Sequence, residues 1–275
     1  MGSMPSLNVC QGRDAGTPVS VASELRAAFE EADRRIEAGA ASAEQAELAR
    51  IHCVYWRAHR ERFYRTVKLF LQHTDRWPRR VLDVGSHYLQ LACLLRYAGL
   101  DVEGCDVQEF AAHPLLEQRA RELGVRNRVV EPLGRLQRLP YDDGEFDAIF
   151  LLETIEHWNA NPRVQLAELF RILAPQGRLV ITTPNFYGYH AVIRRLRRFL
   201  TGHGGYIPVS ELVQEGNLFH HWKEYSHKEL SELLAGFGFH RRVSESLTAA
   251  GDGTPAWLRR LCRPWGQFLY AEFQR

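Results

Sequence analysis

Lysine is almost missing from this chain, with residues only at positions 68, 223 and 228, so arginine supplies nearly all of the 35 basic residues. An arginine fork suits carboxylates and phosphates better than a lysine point charge does. Acidic residues nearly cancel the basic ones, leaving a net charge of +2, which gives no bulk attraction toward nucleic acid. No apolar run reaches the roughly eighteen residues needed to cross a bilayer as a helix, and no signal-peptide pattern opens the sequence. The five cysteines, at positions 10, 53, 93, 105 and 262, form no C-x-x-C pair. That spacing excludes a compact disulfide framework or a zinc ribbon and fits reduced thiols, so a cytoplasmic location is expected. Internal repeats and low-complexity runs are also absent.

What is present is organised around Arg80–Asp106, RVLDVGSHYLQLACLLRYAGLDVEGCD. A short apolar run ends in Gly85, a helical apolar pattern runs from Leu89 to Gly99, and a second apolar run closes on Asp106. Strand, tight turn, helix and strand make a βαβ unit of the nucleotide-binding kind. Asp106 lies about 20 residues past the turn, where such a unit offers a carboxylate to ribose hydroxyls.

The rest of the chain extends this alternation. Residues 1–18 are rich in Gly, Pro and Ser and read as a disordered tail. Two helical patterns, Val21–Ala38 and Ser42–His73, fill a cap over residues 19–78. From residue 79 to 275 the expectation is one catalytic-type α/β domain. It comprises a helix over Pro114–Leu123, a strand over Arg128–Glu131, a buried strand over Phe146–Leu152, a helix over Pro162–Leu173, a turn at 174–177 and a strand over Arg178–Thr182. Residues 186–222 break the alternation and read as a substrate-side insertion. A helix over Lys228–Ala235 and two strands, Phe239–Ser246 and Gln267–Phe273, close the domain; their turn-rich connection favours antiparallel pairing.

The segments VLDVGS, GCD, LPYDDGEFDAI, LLETIEH, ELFRILAPQGRLVITTPN and HWKEYSHKELSELLAGFGF, in that order, resemble the class I S-adenosylmethionine (SAM)-dependent methyltransferases. The likeness covers more than two thirds of the chain. It implies a Rossmann-like α/β fold: a seven-stranded, mostly parallel sheet with one antiparallel strand, N-terminal helices, and an inserted lid between the fifth strand and the following helix. It implies SAM as cofactor, with Asp83, Gly85, Ser86 and His87 in the first loop, and Asp106 and Val107 after the second strand. Leu133 would lie near the adenine and Leu152 beside the reacting centre. One departure stands out: the family loop Gly-x-Gly-x-Gly is here Gly85-Ser86-His87-Tyr88-Leu89, with one glycine of three.

SAM brings the electrophile, while an oxygen acceptor still needs a group to take its proton. Glu153, Glu156 and His157 follow the fourth strand at i, i+3, i+4, one face of a helical turn, and His221 precedes Glu224-Tyr225 in the insertion. The simplest reading makes His157 or His221 a general base oriented by glutamate. The alternative is a divalent metal held by Glu153, Glu156, His157 and His221, a set resembling that of small-RNA 2′-O-methyltransferases. In a third reading His157 only caps the turn. Arg194, Arg195, Arg197 and Arg198 form either a solvated helix face or a contact for an anionic acceptor. The expected function is methyl transfer from SAM to an oxygen of a small acceptor: a sugar, glycolipid or natural product. The rivals are a metal-dependent RNA 2′-O-methyltransferase, although nucleic acid is not the favoured partner, and a non-catalytic binding module. The oligomeric state is not readable from the sequence.

Overall fold

A computed structural model describes residues 26–27, 29–34, 46–74, 76–131, 138–158, 161–202, 221–247 and 266–275. The expected tail, the turn-rich connection between the last two strands, and Leu133 lie outside these residues. Seven strands make up a mixed sheet, and the chain divides into two compact units, Met1–Val130 and Glu131–Arg275.

The first unit holds α1 (Ala46–Gln72), β1 (Arg80–Val84), α2 (Gln90–Tyr97), β2 (Asp101–Asp106), α3 (Gln108–Ala111), α4 (Pro114–Leu123) and β3 (Arg126–Val129). Strands β1, β2 and β3 pair in parallel, with Asp83 opposite Gly104 and Val84 opposite Cys105. Val81 and Leu82 of β1 and nearly the whole of α2 are buried. A helix buried on nearly every side belongs inside a domain, and this explains the crowded apolar sequence after the first loop. Helix α4 starts at Pro114 behind His113, whose ring nitrogen accepts the Leu115 amide, and stops at Gly124 in the left-handed conformation. Strand β3 spans Arg126–Val129, two residues earlier than expected, because its pairing runs from Arg126 opposite Glu103 to Val129 opposite Asp106.

The second unit holds β4 (Phe146–Leu152), a 3-10 turn (Ile155–His157), α5 (Arg163–Ile172), β5 (Leu173–Pro184), α6 (Tyr189–Leu200), α7 (His227–Ala235), β6 (His240–Leu247) and β7 (Phe268–Gln274). Strands β4 and β5 are parallel, whereas β7 runs antiparallel to both β5 and β6. That is the expected mixed sheet with a single antiparallel strand. The turn expected at 174–177 is a bulge within β5: the register slips between Phe146 and Ala148, and Gln176 takes φ 66°. Helix α7 opens with a reciprocal cap. Ser226 Oγ accepts the Glu229 amide, and the Glu229 carboxylate accepts the Ser226 amide at 3.0 Å.

Candidate active site

In the first unit the loop after β1 makes up for its missing glycines with backbone shape. Gly85 has φ 77°, and His87 and Leu89, at the two other glycine positions of the family pattern, have φ 46° and 62°. All three positions are therefore left-handed, although two carry side chains that disfavour it, at a cost of order 1 kcal/mol each. Neighbours hold them there. The Gly85 and Ser86 amides donate to the Cys105 carbonyl, Leu89 N–H donates to Ser86 O at 2.7 Å, and His87 N–H donates to Asp106 Oδ2 at 2.7 Å. The bulk of His87 and Tyr88 packs against other rings. His87 lies 3.9 Å from Tyr88, 4.6 Å from Phe110 of α3 and 5.0 Å from Tyr55 of α1, centroid to centroid. Tyr55 and Phe110 are contributors that sequence reasoning missed; both sit in ordinary helical apolar patterns, and only tertiary packing brings them to the loop.

Two carboxyls face this loop. Asp83 is buried, and its Oδ2 has no hydrogen-bond partner. Burial first, and the charge of Asp106 second, push its pKa up to about 8. Asp106 ends β2 and accepts the His87 and Val107 amides, one on each oxygen, both at 2.7 Å. Burial nevertheless lifts it to about 6, against the pull of those two amides. Asp106 thus performs a structural task, tying the loop to β2, while each oxygen retains a second lone pair for another donor. An orphaned buried carboxylate oxygen next to a second acid suits a ligand that brings positive charge and hydroxyl donors. A SAM molecule has both, so the residues fit that cofactor. Ser86 donates to Asn127 Oδ1 at 2.8 Å, so its hydroxyl serves the β3 side of the loop. At Gly104 an added Cβ would lie 2.6 Å from Asn127 Oδ1, so the Asn127 side chain would have to shift.

In the second unit, Leu152 ends β4 and Glu153 turns left-handed at φ 50°, its amide donating to Thr182 O at 2.8 Å. The turn that follows begins at Ile155 and is 3-10. The expected single helical face for Glu153, Glu156 and His157 therefore does not form: Glu153 belongs to the reversal that precedes the turn. Glu156 is fully buried. Its Oε2 accepts from Thr183 Oγ1 at 3.0 Å, and its backbone carbonyl accepts the Trp222 amide at 2.7 Å. That backbone link seats His221 beside His157, with ring centroids 4.9 Å apart at 75°. One ligand-type atom from each of Glu156, His157 and His221 lies within 4.8 Å of the others, and Glu153 is not among them.

Buried Tyr225 is raised to about 12, by burial first and by Glu156 second. It also bridges to Asn185, and its carbonyl accepts the Phe186 amide. Thr183 and Asn185 are the missed residues on this side. The segment ITTPN lies in a motif the sequence singles out, yet nothing local shows that Thr183 props up Glu156. Arg194 and Arg195 reach inward to Glu224 at 2.6 and 3.2 Å, so these two members of the basic stretch are engaged within the unit.

A family model described as a methyltransferase domain matches residues 55–241. A demethylmenaquinone methyltransferase from Thermus thermophilus is 36% identical over 114 residues, 39% of this chain and 48% of that protein. A malonyl-[acyl-carrier protein] O-methyltransferase from Legionella pneumophila is 30% identical over 115 residues, 41% of this chain and 39% of that protein. The alignments thus span less than half the length of these relatives. A crystal structure from Thermotoga maritima, described as a SAM-dependent methyltransferase and possible histamine N-methyltransferase, superposes with a TM-score of 0.56 at 17% identity, covering 83% of this chain and 96% of that one.

Proposed function

This chain belongs to the class I SAM-dependent methyltransferases, and from that premise we propose that it moves the methyl group to an oxygen of a small acceptor, with a sugar, glycolipid or natural product the expected class. The observation that carries this reading is the convergence of Glu156, His157 and His221 at the end of β4. Asp83, Gly85 and Asp106 would hold the cofactor, whose sulfonium supplies the electrophilic methyl. His157 would take the acceptor's proton. A carboxylate as close as Glu156 stabilises the imidazolium that results, and His221 limits where that ring can turn. Glu156 itself is too enclosed to meet an acceptor, so its part is electrostatic and positional. The O-methyltransferase among the relatives supports an oxygen acceptor without naming this one.

A second reading rests on the same convergence. Two imidazoles and one carboxylate are a donor set for a divalent ion of the Mn²⁺ or Zn²⁺ type. The deciding experiment measures methyl transfer to a panel of hydroxylated acceptors, before and after exhaustive chelation. Activity that survives chelation and falls in His157→Ala supports the base. Activity lost on chelation and restored by Mn²⁺ supports the metal. Transfer only to amine or carbon acceptors sinks the oxygen assignment.

A further inference from the structure

Helix α6 is built inside out. Globular helices turn an apolar stripe inward. Here Val192, Ile193, Leu196, Phe199 and Leu200, at i, i+1, i+4, i+7 and i+8, occupy one face, and no side chain of α6 is buried. Phe199 and Leu200 are 76% and 73% exposed. The polar face, by contrast, holds the helix to its own unit. Arg194 and Arg195 pair with buried Glu224, and the Arg195 guanidinium lies 3.7 Å over the Phe186 ring. Electrostatic anchoring on one side therefore fixes the apolar stripe outward on the other.

We propose that α6 docks on an anionic lipid surface, lying in the headgroup plane with this stripe inserted. The sequence YHAVIRRLRRFL contains no acidic residue, and exposed Arg197 and His190 flank the stripe. An apolar face bordered by arginine is the pattern of an interfacial helix, and its charge complements anionic headgroups. A second copy is the poorer occupant, since apposing two such stripes would bring arginine borders of like sign together. Among the described residues no helix is long and apolar enough to span a bilayer, so attachment through α6 is peripheral. The proposal goes beyond the methyl-transfer reading and does not depend on it.

The test is co-sedimentation of the full chain with phosphatidylcholine vesicles, with and without phosphatidylglycerol. Binding to the anionic vesicles should exceed binding to neutral ones and weaken as salt rises. The double variant Phe199→Ser/Leu200→Ser changes only exposed side chains. It should keep the wild-type melting temperature and lose anionic-vesicle binding by roughly tenfold or more. No vesicle binding by the wild type, or undiminished binding by the variant, overturns the proposal. So does a wild-type dimer in sedimentation equilibrium that the variant converts to monomer, because the stripe would then serve self-association.

Discussion

The loop after β1 and the turn after β4 use the same backbone device for different chemistry. Each follows a buried parallel strand, and each reverses through left-handed residues that are not glycine: His87 and Leu89 in one, Glu153 in the other. What each reversal presents differs. The first gathers acid on acid, with Asp83 and Asp106 both pushed upward by burial. The second gathers Glu156 with two imidazoles. Two nearby carboxyls without a cation form a site suited to positive charge. A carboxylate among imidazoles forms one suited to moving a proton or holding an ion. One strand-end geometry thus supports either a binding role or a chemical one, and the side chains decide which.

The sharpest way to break this contrast is His157→Ala. Turnover should fall by about 10²–10⁴, the range for loss of a general base, while SAM affinity measured by calorimetry stays near wild type. A variant with wild-type turnover would leave the second reversal without a chemical role. Next comes Asp106→Ala, which should weaken SAM binding by ~1.5–3 kcal/mol with turnover at saturation less affected. The same substitution releases the His87 amide, so the melting temperature of the ligand-free protein should fall as well.

Asp83→Asn addresses the acid pair directly. The folded-state pKa of Asp83, about 8, lies above its ordinary 3.8, so the native state holds the proton more tightly. Stability is greatest below the ordinary value and falls as pH rises toward about 8, by at most ~1.4 kcal/mol per pH unit. Asparagine should remove this part of the slope and stabilise the ligand-free protein at pH 8, while weakening cofactor binding. Chemical denaturation across pH 4 to 8 checks the first outcome, and calorimetry the second. An unchanged slope would show that Asp83 is not the titrating group. The smallest effect is expected for Gly104→Ala. Its Cβ would press on Asn127 and Ser86, costing about 1–3 kcal/mol of stability, read from urea midpoints, with the Glu156 cluster untouched.

Much of this molecule was legible without coordinates. Asp106, the buried strand Phe146–Leu152 and the helix up to Ala235 each announce themselves through spacing, because strand and helix periods are properties of near neighbours. The first loop was legible only by half. One glycine of three departs from the family loop, yet the Asp106 carboxylate accepts the His87 amide and the Ser86 carbonyl accepts the Leu89 amide, holding both residues in the backbone form that glycine would take. Glu153 was grouped with Glu156 and His157 on the assumption of a continuous helical turn, which its own left-handed reversal prevents.

By itself the sequence determined the alternation of strands and helices, the family, and the residue types available at each strand end. It could do so because these follow from local periodicity and from motifs a few residues long. Only the tertiary structure decided that Thr183 backs Glu156, that Tyr55 and Phe110 pack on the first loop, and that α6 turns its apolar stripe outward. Each of these depends on a bond or contact between residues far apart in the chain, such as Thr183 with Glu156 or Arg194 with Glu224, and no local pattern encodes which distant partner will be met.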